Sequence, residues 1–132
     1  MFLTPQQAAE VRERFGTPCY VYDHATLEAA ARRALAFPNA FGLTVRYAMK
    51  ANPNAAIVKL FTDLGLDIDA SSDFEVERAI RCGVPPARIQ LTSQMPSRKL
   101  RAIAERGVRY TACSLHQLDA FGQAFPGGTV CV

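Results

Sequence analysis

The sequence lacks the features that mark a membrane, secreted or metal-binding protein. Its uninterrupted apolar runs are short, whereas a helix that crosses a bilayer needs roughly 20 apolar residues. The opening stretch MFLTPQQ has neither a basic start nor a long apolar core, so it is not a signal peptide. Only two histidines are present, and the four cysteines lie far apart with no C-x-x-C pair. We therefore expect no membrane span, no disulfide framework, no metal site and a cytoplasmic location.

The chain also lacks a large excess of charge of either sign. The chain has 132 residues, with 15 basic and 12 acidic side chains, and no block of lysine and arginine. This balance excludes a dedicated nucleic-acid binder. About half of the residues are apolar, which fits one globular domain. Cys113 and Cys131 lie in apolar runs, and we expect both to be small buried hydrophobic residues.

What is present is a regular alternation of strand and helix patterns. Apolar runs recur at a step of about 22 residues, and helical patterns lie between them. The predicted strands lie at 43–49, 66–70, 88–92, 109–113 and 128–132. Start signals precede the intervening helices: Asn52, Ser72 with Glu75, Ser97, and Ser114 with Gln117. Such alternation with short connections requires a parallel sheet.

A lead-in precedes this alternation. Thr4 and Gln7 form a capping box that predicts a first helix, and Asp23 predicts a second one. The stretch PCYVY at 18–22 is β-branched and aromatic, so it predicts a strand. We expect residues 1–38 to be lead-in helices with a strand that joins a second β domain, and residues 39–132 to form the repeating units.

Two α/β architectures compete for those units. A doubly wound dinucleotide fold would carry G-x-G-x-x-G after its first strand, and the sequence has none. A full (β/α) barrel needs roughly 250 residues. The fold class that we predict is therefore α/β, the N-terminal half of a (β/α)8 TIM-type barrel.

Polar residues follow the predicted strands, and in a parallel barrel the carboxyl ends of the strands carry the chemistry. The first strand ends at Lys50, and the second contributes Asp67, Asp69, Ser71 and Ser72. Because strand side chains alternate between faces, Ala48 and Lys50 share the inner face of the barrel. By the same alternation Asp67 and Asp69 share a face, so lysine and aspartate are expected to meet at one rim. Thr92, Ser93, Gln94 and Ser114 follow the next two strands.

Lys50 has two interpretations from its position alone. A lysine partly desolvated in a barrel mouth favours its neutral amine, which attacks aldehydes and forms imines. Alternatively, Lys50 extends from the strand end to solvent. Asp69 has a similar alternative, because an aspartate at a strand end often caps the next turn. Glu75 is explained by its capping box alone.

Four segments, in the same order, resemble the fold-type III pyridoxal 5'-phosphate (PLP) decarboxylases, which have an alanine racemase-like barrel. YAMKAN at 47–52 is similar to their lysine motif, and DIDASSDFEVERA at 67–79 to their second-strand segment. GVPPARIQLTSQ at 83–94 is similar to their third unit, and PCYVYDHATL to their lead-in. The family includes diaminopimelate, ornithine and arginine decarboxylases.

The resemblance implies a PLP-dependent carboxy-lyase that acts on a small amino acid and forms a homodimer. It implies that Lys50 forms the Schiff base with PLP, that Ala48 lies against the cofactor, and that Asp69 is the carboxylate near the imine, with Glu75 as its charged neighbour. Two departures stand out. Gln117 occupies a position where the family usually has glutamate, and TSQMPS departs from the ornithine-type N-P-x-K segment, which disfavours ornithine as substrate.

The family's phosphate-binding loop and further catalytic residues come later than Val132. We therefore expect the chain to be an N-terminal fragment of a longer protein, or the product of a truncated gene. Three alternatives stay open: an amino-acid racemase of the same fold type, a lone-barrel PLP carrier, and a catalytically inactive regulator with the decarboxylase fold.

Overall fold

The computed structural model describes residues 2–132 as six α-helices and one four-stranded sheet. The helices are α1 (Pro5–Phe15), α2 (His24–Leu35), α3 (Ala55–Asp63), α4 (Asp73–Arg81), α5 (Leu100–Glu105) and α6 (Leu115–Ala124). The strands are β1 (Arg46–Ala48), β2 (Asp67–Ala70), β3 (Ile89–Thr92) and β4 (Arg109–Thr111). Short 3-10 turns lie at Met49–Ala51 and Pro86–Arg88. None of the helices in this described range has the length and apolar character required of a bilayer span.

The strands follow one another in space as they do in the chain. The sheet order is β1-β2-β3-β4, and all three pairings are parallel. Ala48 pairs with Asp69, Asp69 pairs with Gln90, and Thr92 pairs with Thr111. A doubly wound sheet reverses its strand order at a switch point, whereas a barrel adds each βα unit beside the last. The sequential order therefore confirms four of the predicted strands and the barrel-type architecture.

Two predicted strands do not form within residues 2–132: the one at 128–132 is wrong, whereas the one at 18–22, expected to join a second β domain, stays a prediction. Residues 18–22 belong to no strand, and residues 128–132 contribute only an isolated bridge between Cys131 and Thr111. A strand needs a neighbour for its backbone groups, and within residues 2–132 no sheet lies beside 18–22. Tyr20 is 91% exposed as a consequence.

The core forms between the sheet and the helices that follow each strand. Ile68, Ile89 and Leu91 alternate along β2 and β3, and each is fully buried. They pack against Val76 and Ala79 of α4, also fully buried. Burying a side chain of this size stabilises the fold by about 1.5–3 kcal/mol relative to exposure. The opposite sheet face is polar and half-buried, as expected of a surface that lines a barrel interior.

A second cluster joins α2 and α3 to the start of the sheet. Ala31, Ile57 and Phe61 are buried in it, and Tyr47 packs on Phe61 with ring centroids 4.5 Å apart. The lead-in helix α2 is therefore fastened to the repeating units by apolar contacts.

Helix caps follow the sequence signals in part. The box of Thr4 and Gln7 forms as predicted, with hydrogen bonds of 3.2 and 2.9 Å. The cap of α3 is Asn54, whose Oδ1 accepts from the N–H of Ala56, so the assignment to Asn52 was wrong. The assignment to Ser97 was also wrong, because α5 has no side-chain cap.

Candidate functional site

Lys50 lies on a turn whose position is set by its neighbours. β1 ends at Ala48, one residue before the predicted end at 49, so Lys50 belongs to the 3-10 turn that follows. Met49 is fully buried beneath this turn. The Tyr47 hydroxyl donates to the Asn52 carbonyl at 3.1 Å, which closes the turn from the other side. Burial raises the pKa of Tyr47 above its usual value, so this donor keeps its proton at neutral pH.

Asp69 meets Lys50 at the carboxyl ends of the strands. Asp69 lies in β2 directly beside Ala48, and it shares with Lys50 a cavity of about 580 Å³. The cavity is lined by Lys50, Asp69, Ser71, Thr92, Ser93, Gln94, Met95 and Cys113. The predicted meeting of lysine and aspartate at one rim is therefore confirmed. Below, this space is called the rim cavity.

The exposure of Lys50 and the position of Ala48 bear on two further expectations from the sequence. Lys50 is exposed in the described chain, which agrees with the second of its two interpretations, extension to solvent, rather than with desolvation in a barrel mouth. Within residues 2–132 its amine has no hydrogen-bond or salt-bridge partner, which leaves it available to a ligand. Ala48 is half-buried in β1 and does not line the rim cavity. Its contact with a cofactor stays a prediction.

Asp67 does not belong to the site. It is the first residue of β2, at the opposite end from Lys50, and its carboxylate pairs with the Arg88 Nε at 2.9 Å. The Arg88 Nη2 also donates to the carbonyls of Thr62 and Leu66, at 3.1 and 2.8 Å. Side-chain alternation identified the face of Asp67 correctly, but a face does not specify which end of the strand a residue occupies. The inclusion of Asp67 among the strand-end residues was therefore wrong.

Glu75 links β2 to α4 at the same rim. The Ser72 Oγ accepts from the N–H of Glu75 at 3.2 Å, as the capping box predicts. The Glu75 carboxylate, however, accepts from the N–H of Ser71 at 2.8 Å, one residue before the cap. Glu75 also lines a second cavity of about 610 Å³, which Lys50 borders from the other side. Its role as a charged neighbour of the cofactor stays a prediction.

Sequence reasoning missed two residues of the rim cavity, Met95 and Cys113. Met95 is 75% exposed, and Cys113 is a free, exposed thiol. Cys131 is exposed as well, so the prediction that both cysteines are buried was wrong. Alternation along the fourth strand was the available signal, because Cys113 follows the inward-facing Thr111 by two residues. No such signal marks Met95, which lies in the loop after β3.

The donor set of the rim cavity suits an aldehyde with polar substituents. Lys50 supplies an amine that can add to a carbonyl carbon. Asp69 supplies an acceptor for a protonated nitrogen, and Ser71, Thr92 and Ser93 supply hydroxyl groups. PLP fits this set through its aldehyde. In the part of the chain that the structure describes, no group of three or more His, Cys, Asp or Glu side chains could hold a metal ion.

Comparison with known proteins places residues 27–132 in the family described as pyridoxal-dependent decarboxylase, pyridoxal binding domain. The diaminopimelate decarboxylase of Streptomyces coelicolor is 36% identical over 97% of this chain and 29% of its own length. The lysine decarboxylase of Selenomonas ruminantium superposes with a TM-score of 0.79 at 28% identity, over 98% of this chain and 35% of that one. A structure of SrLDC in complex with PLP and cadaverine superposes with a TM-score of 0.77 at 28% identity, over 96% and 33% of the two chains.

The chain spans about 30% of the length of the relatives that it matches. The matched part is the start of the barrel, which contains the lysine turn and the rim cavity. The fold of this part is therefore that of the N-terminal barrel domain in these decarboxylases.

Proposed function

Because this chain belongs to the pyridoxal-dependent decarboxylases through their pyridoxal-binding domain, we propose that it supplies the cofactor lysine of a PLP-dependent amino-acid decarboxylase. The observation that carries the proposal is the rim cavity, which Lys50, exposed and with no ion-pair or hydrogen-bond partner among residues 2–132, lines together with Asp69. The similarity to the diaminopimelate decarboxylase of Streptomyces coelicolor supports a substrate of the diaminopimelate type. Diaminopimelate and lysine are therefore the first substrates to test.

Lys50 would hold the cofactor through a covalent bond from its Nζ, and Asp69 would face that nitrogen. A carboxylate beside a protonated nitrogen stabilises the positive charge and can accept its hydrogen bond. The chemistry that PLP supplies when bound is acceptance of the electron pair that is released as carbon dioxide departs. The chain's own task is orientation, because a reacting group held in one geometry reacts faster than a mobile one.

That orientation comes from the turn at Met49–Ala51. Met49 is anchored in the core, and the Tyr47 hydroxyl holds the far side of the turn at the Asn52 carbonyl. Lys50 lies between these two anchors, so its Cα is fixed while the residue lines the rim cavity. From the same position the Lys50 Nζ would be able to take up or return a proton at the bound substrate.

The test is to titrate PLP into the protein as its gene encodes it and to measure carbon dioxide release from diaminopimelate, lysine, ornithine and arginine. We expect visible cofactor absorbance and release from diaminopimelate or lysine. Asp69→Asn should retain the cofactor more weakly and lower kcat by at least roughly tenfold, because a neutral amide no longer balances the nitrogen charge. Exchange of the α-proton without carbon dioxide release would instead indicate a racemase.

We further propose that the rim face contacts a second copy of the chain. Phe74, Met95 and Leu115 each follow the carboxyl end of one strand, and they are 85%, 75% and 84% exposed. Apolar side chains clustered on one face of a protein commonly mark an interaction surface. Sedimentation analysis of Phe74→Asp and Leu115→Asp should show loss of a dimer, while the exposed Val132→Asp serves as control. An unchanged dimer in all variants would contradict this use of the face.

The lead-in also supports a proposal, namely that residues 18–22 pair with a second β domain of the kind that the resemblance implies. Tyr20 and Tyr22 are 91% and 51% exposed, and their segment borders an apolar cavity of about 490 Å³. Hydrogen exchange of the 19–22 amides tests it: slow exchange in the protein as its gene encodes it, and fast exchange in residues 1–132 alone, are expected. Fast exchange in both would contradict it. The cytoplasmic location stays a prediction from the sequence.

A further inference from the structure

Gln117 is the one buried polar side chain among residues 2–132, with 1% exposure. Every polar group of this amide has a partner. Its Oε1 accepts from the N–H of Cys113 at 2.7 Å. Its Nε2 donates to the carbonyls of Ser93 and Gln94, at 2.9 and 3.2 Å. One side chain at the start of α6 therefore joins the residue after β4 to the loop after β3.

Glu75 occupies the equivalent position two units earlier, which shows what is particular to Gln117. Both residues are third in a helix whose cap is a serine, and both accept the N–H of the residue before that cap. A carboxylate suffices where only acceptance is required. Gln117 must also donate to two carbonyl oxygens, and an ionised carboxylate has no hydrogen to donate.

The three residues that Gln117 joins, Ser93, Gln94 and Cys113, all line the rim cavity with Lys50 and Asp69. We infer that Gln117 is a positioning residue, whose amide sets the wall of the cofactor cavity formed by the ends of β3 and β4. This inference rests on the proposed function, since it assigns the wall to PLP. Gln117 itself does not line the cavity and has no contact with the reacting atoms.

Gln117→Glu separates this role from general packing, because it changes a single heavy atom. One oxygen of the introduced carboxyl can still accept from the Cys113 N–H. The other faces two carbonyl oxygens, which repel an anion and disfavour its ionised form. When the introduced carboxyl is protonated it can donate to one of the two carbonyls, so low pH should restore part of the contact.

The experiment uses the protein as its gene encodes it, with PLP itself as the probe. PLP affinity is measured by absorbance titration between pH 6 and pH 8 for the unsubstituted protein, Gln117→Glu, Gln117→Leu and the control Gln123→Glu, an exposed glutamine on the same helix. Hydrogen exchange of the Cys113 amide is measured in parallel without PLP, and circular dichroism verifies that each variant is folded.

We expect Gln117→Glu to bind PLP roughly tenfold more weakly than the unsubstituted protein at pH 8, with a smaller difference at pH 6. Gln117→Leu should bind weakly at both pH values, and its Cys113 amide should exchange at least about tenfold faster, because its acceptor is gone. Gln123→Glu should behave as the unsubstituted protein does.

Failure of the inference and failure of the proposed function give different results. If the unsubstituted protein does not bind PLP, the proposed function fails, and the exchange of the Cys113 amide still decides whether Gln117 holds the wall. If PLP binds normally and both Gln117 variants match the unsubstituted protein in affinity and exchange, the positioning role is overturned while the proposed function stands. A loss of PLP affinity in Gln117→Glu that is equal at pH 6 and pH 8 also overturns the positioning role, because a general loss of packing does not depend on pH.

Discussion

Ala48 and Asp69 are paired across the parallel ladder of β1 and β2, so the aspartate lies level with the residue two positions before Lys50. The chain then turns at Met49–Ala51, and both Lys50 and Asp69 reach the rim cavity. A shift of one residue in this register would turn Asp69 towards the helices and Ile68 towards the cavity. The meeting of the two charged groups therefore depends on register, and register depends on burial of Ile68.

Lys50→Ala should abolish the visible absorbance of the bound cofactor and nearly all decarboxylation in the protein as its gene encodes it. Lys50→Arg should do the same, because a guanidinium stays protonated and cannot act as an imine-forming amine at neutral pH. Absorbance titration and carbon dioxide release measure the two effects. Lys59→Ala, on the exposed face of α3, is the matched control and should leave both unchanged. A full cofactor band in either Lys50 variant would show that the lysine is misassigned.

Arg88→Ala should lower stability without altering cofactor binding. Arg88 pairs with Asp67 and donates to two further carbonyls, and its loss leaves a half-buried carboxylate without its partner. We expect a loss of about 2 kcal/mol in the free energy of unfolding, measured by urea denaturation. PLP affinity should stay within about twofold, because Asp67 lies at the amino end of β2. A large loss of PLP affinity in the folded variant would show that Asp67 contributes to the cofactor site.

Tyr47→Phe should change how stability responds to alkaline pH. Burial raises the pKa of Tyr47 in the folded protein above that in the unfolded chain. The unfolded chain therefore loses the phenol proton first, so the stability from this group is fully present below its unfolded pKa, about 10, and falls as pH rises through the folded pKa. Tyr110, whose pKa burial also raises, contributes in the same direction.

The measurement is urea denaturation at pH 8 and at pH 10.5. At pH 8 Tyr47→Phe should be less stable by about 1 kcal/mol, because the hydrogen bond to the Asn52 carbonyl is lost. Between the two pH values the variant should lose less stability than the unsubstituted protein does. Equal losses would show that Tyr47 ionises alike in the folded and unfolded states.

Residues 1–132 expressed alone should be marginally stable and should associate. Among residues 2–132 the outer side of β1 is unpaired, and the outer side of β4 is covered by only one bridge, from Cys131. Open strand edges pair readily with other chains. Sedimentation and thermal unfolding measure both properties, and PLP binding should be weak. A monomer that unfolds cooperatively and binds PLP tightly would favour a small self-sufficient PLP protein instead.

The sequence by itself determined the elements and their order, because the signals for these are local. The box of Thr4 and Gln7, the caps at Ser72 and Ser114, and alternation along four strands each depend on residues within a few positions. The meeting of Lys50 and Asp69 was also predictable, since parallel strands end at the same edge and alternation assigns each side chain to a face.

Only the tertiary structure decided which residues form the wall of the site and which serve the fold. Asp67 is paired by Arg88, 21 residues later, and Gln117 holds carbonyls about as far back along the chain. The strand predicted at 18–22 likewise depends on a distant partner, since in residues 2–132 no neighbour accepts its backbone groups. A hydrogen bond between distant residues requires two elements to be placed first, and that placement comes from the packing of the sheet against its helices.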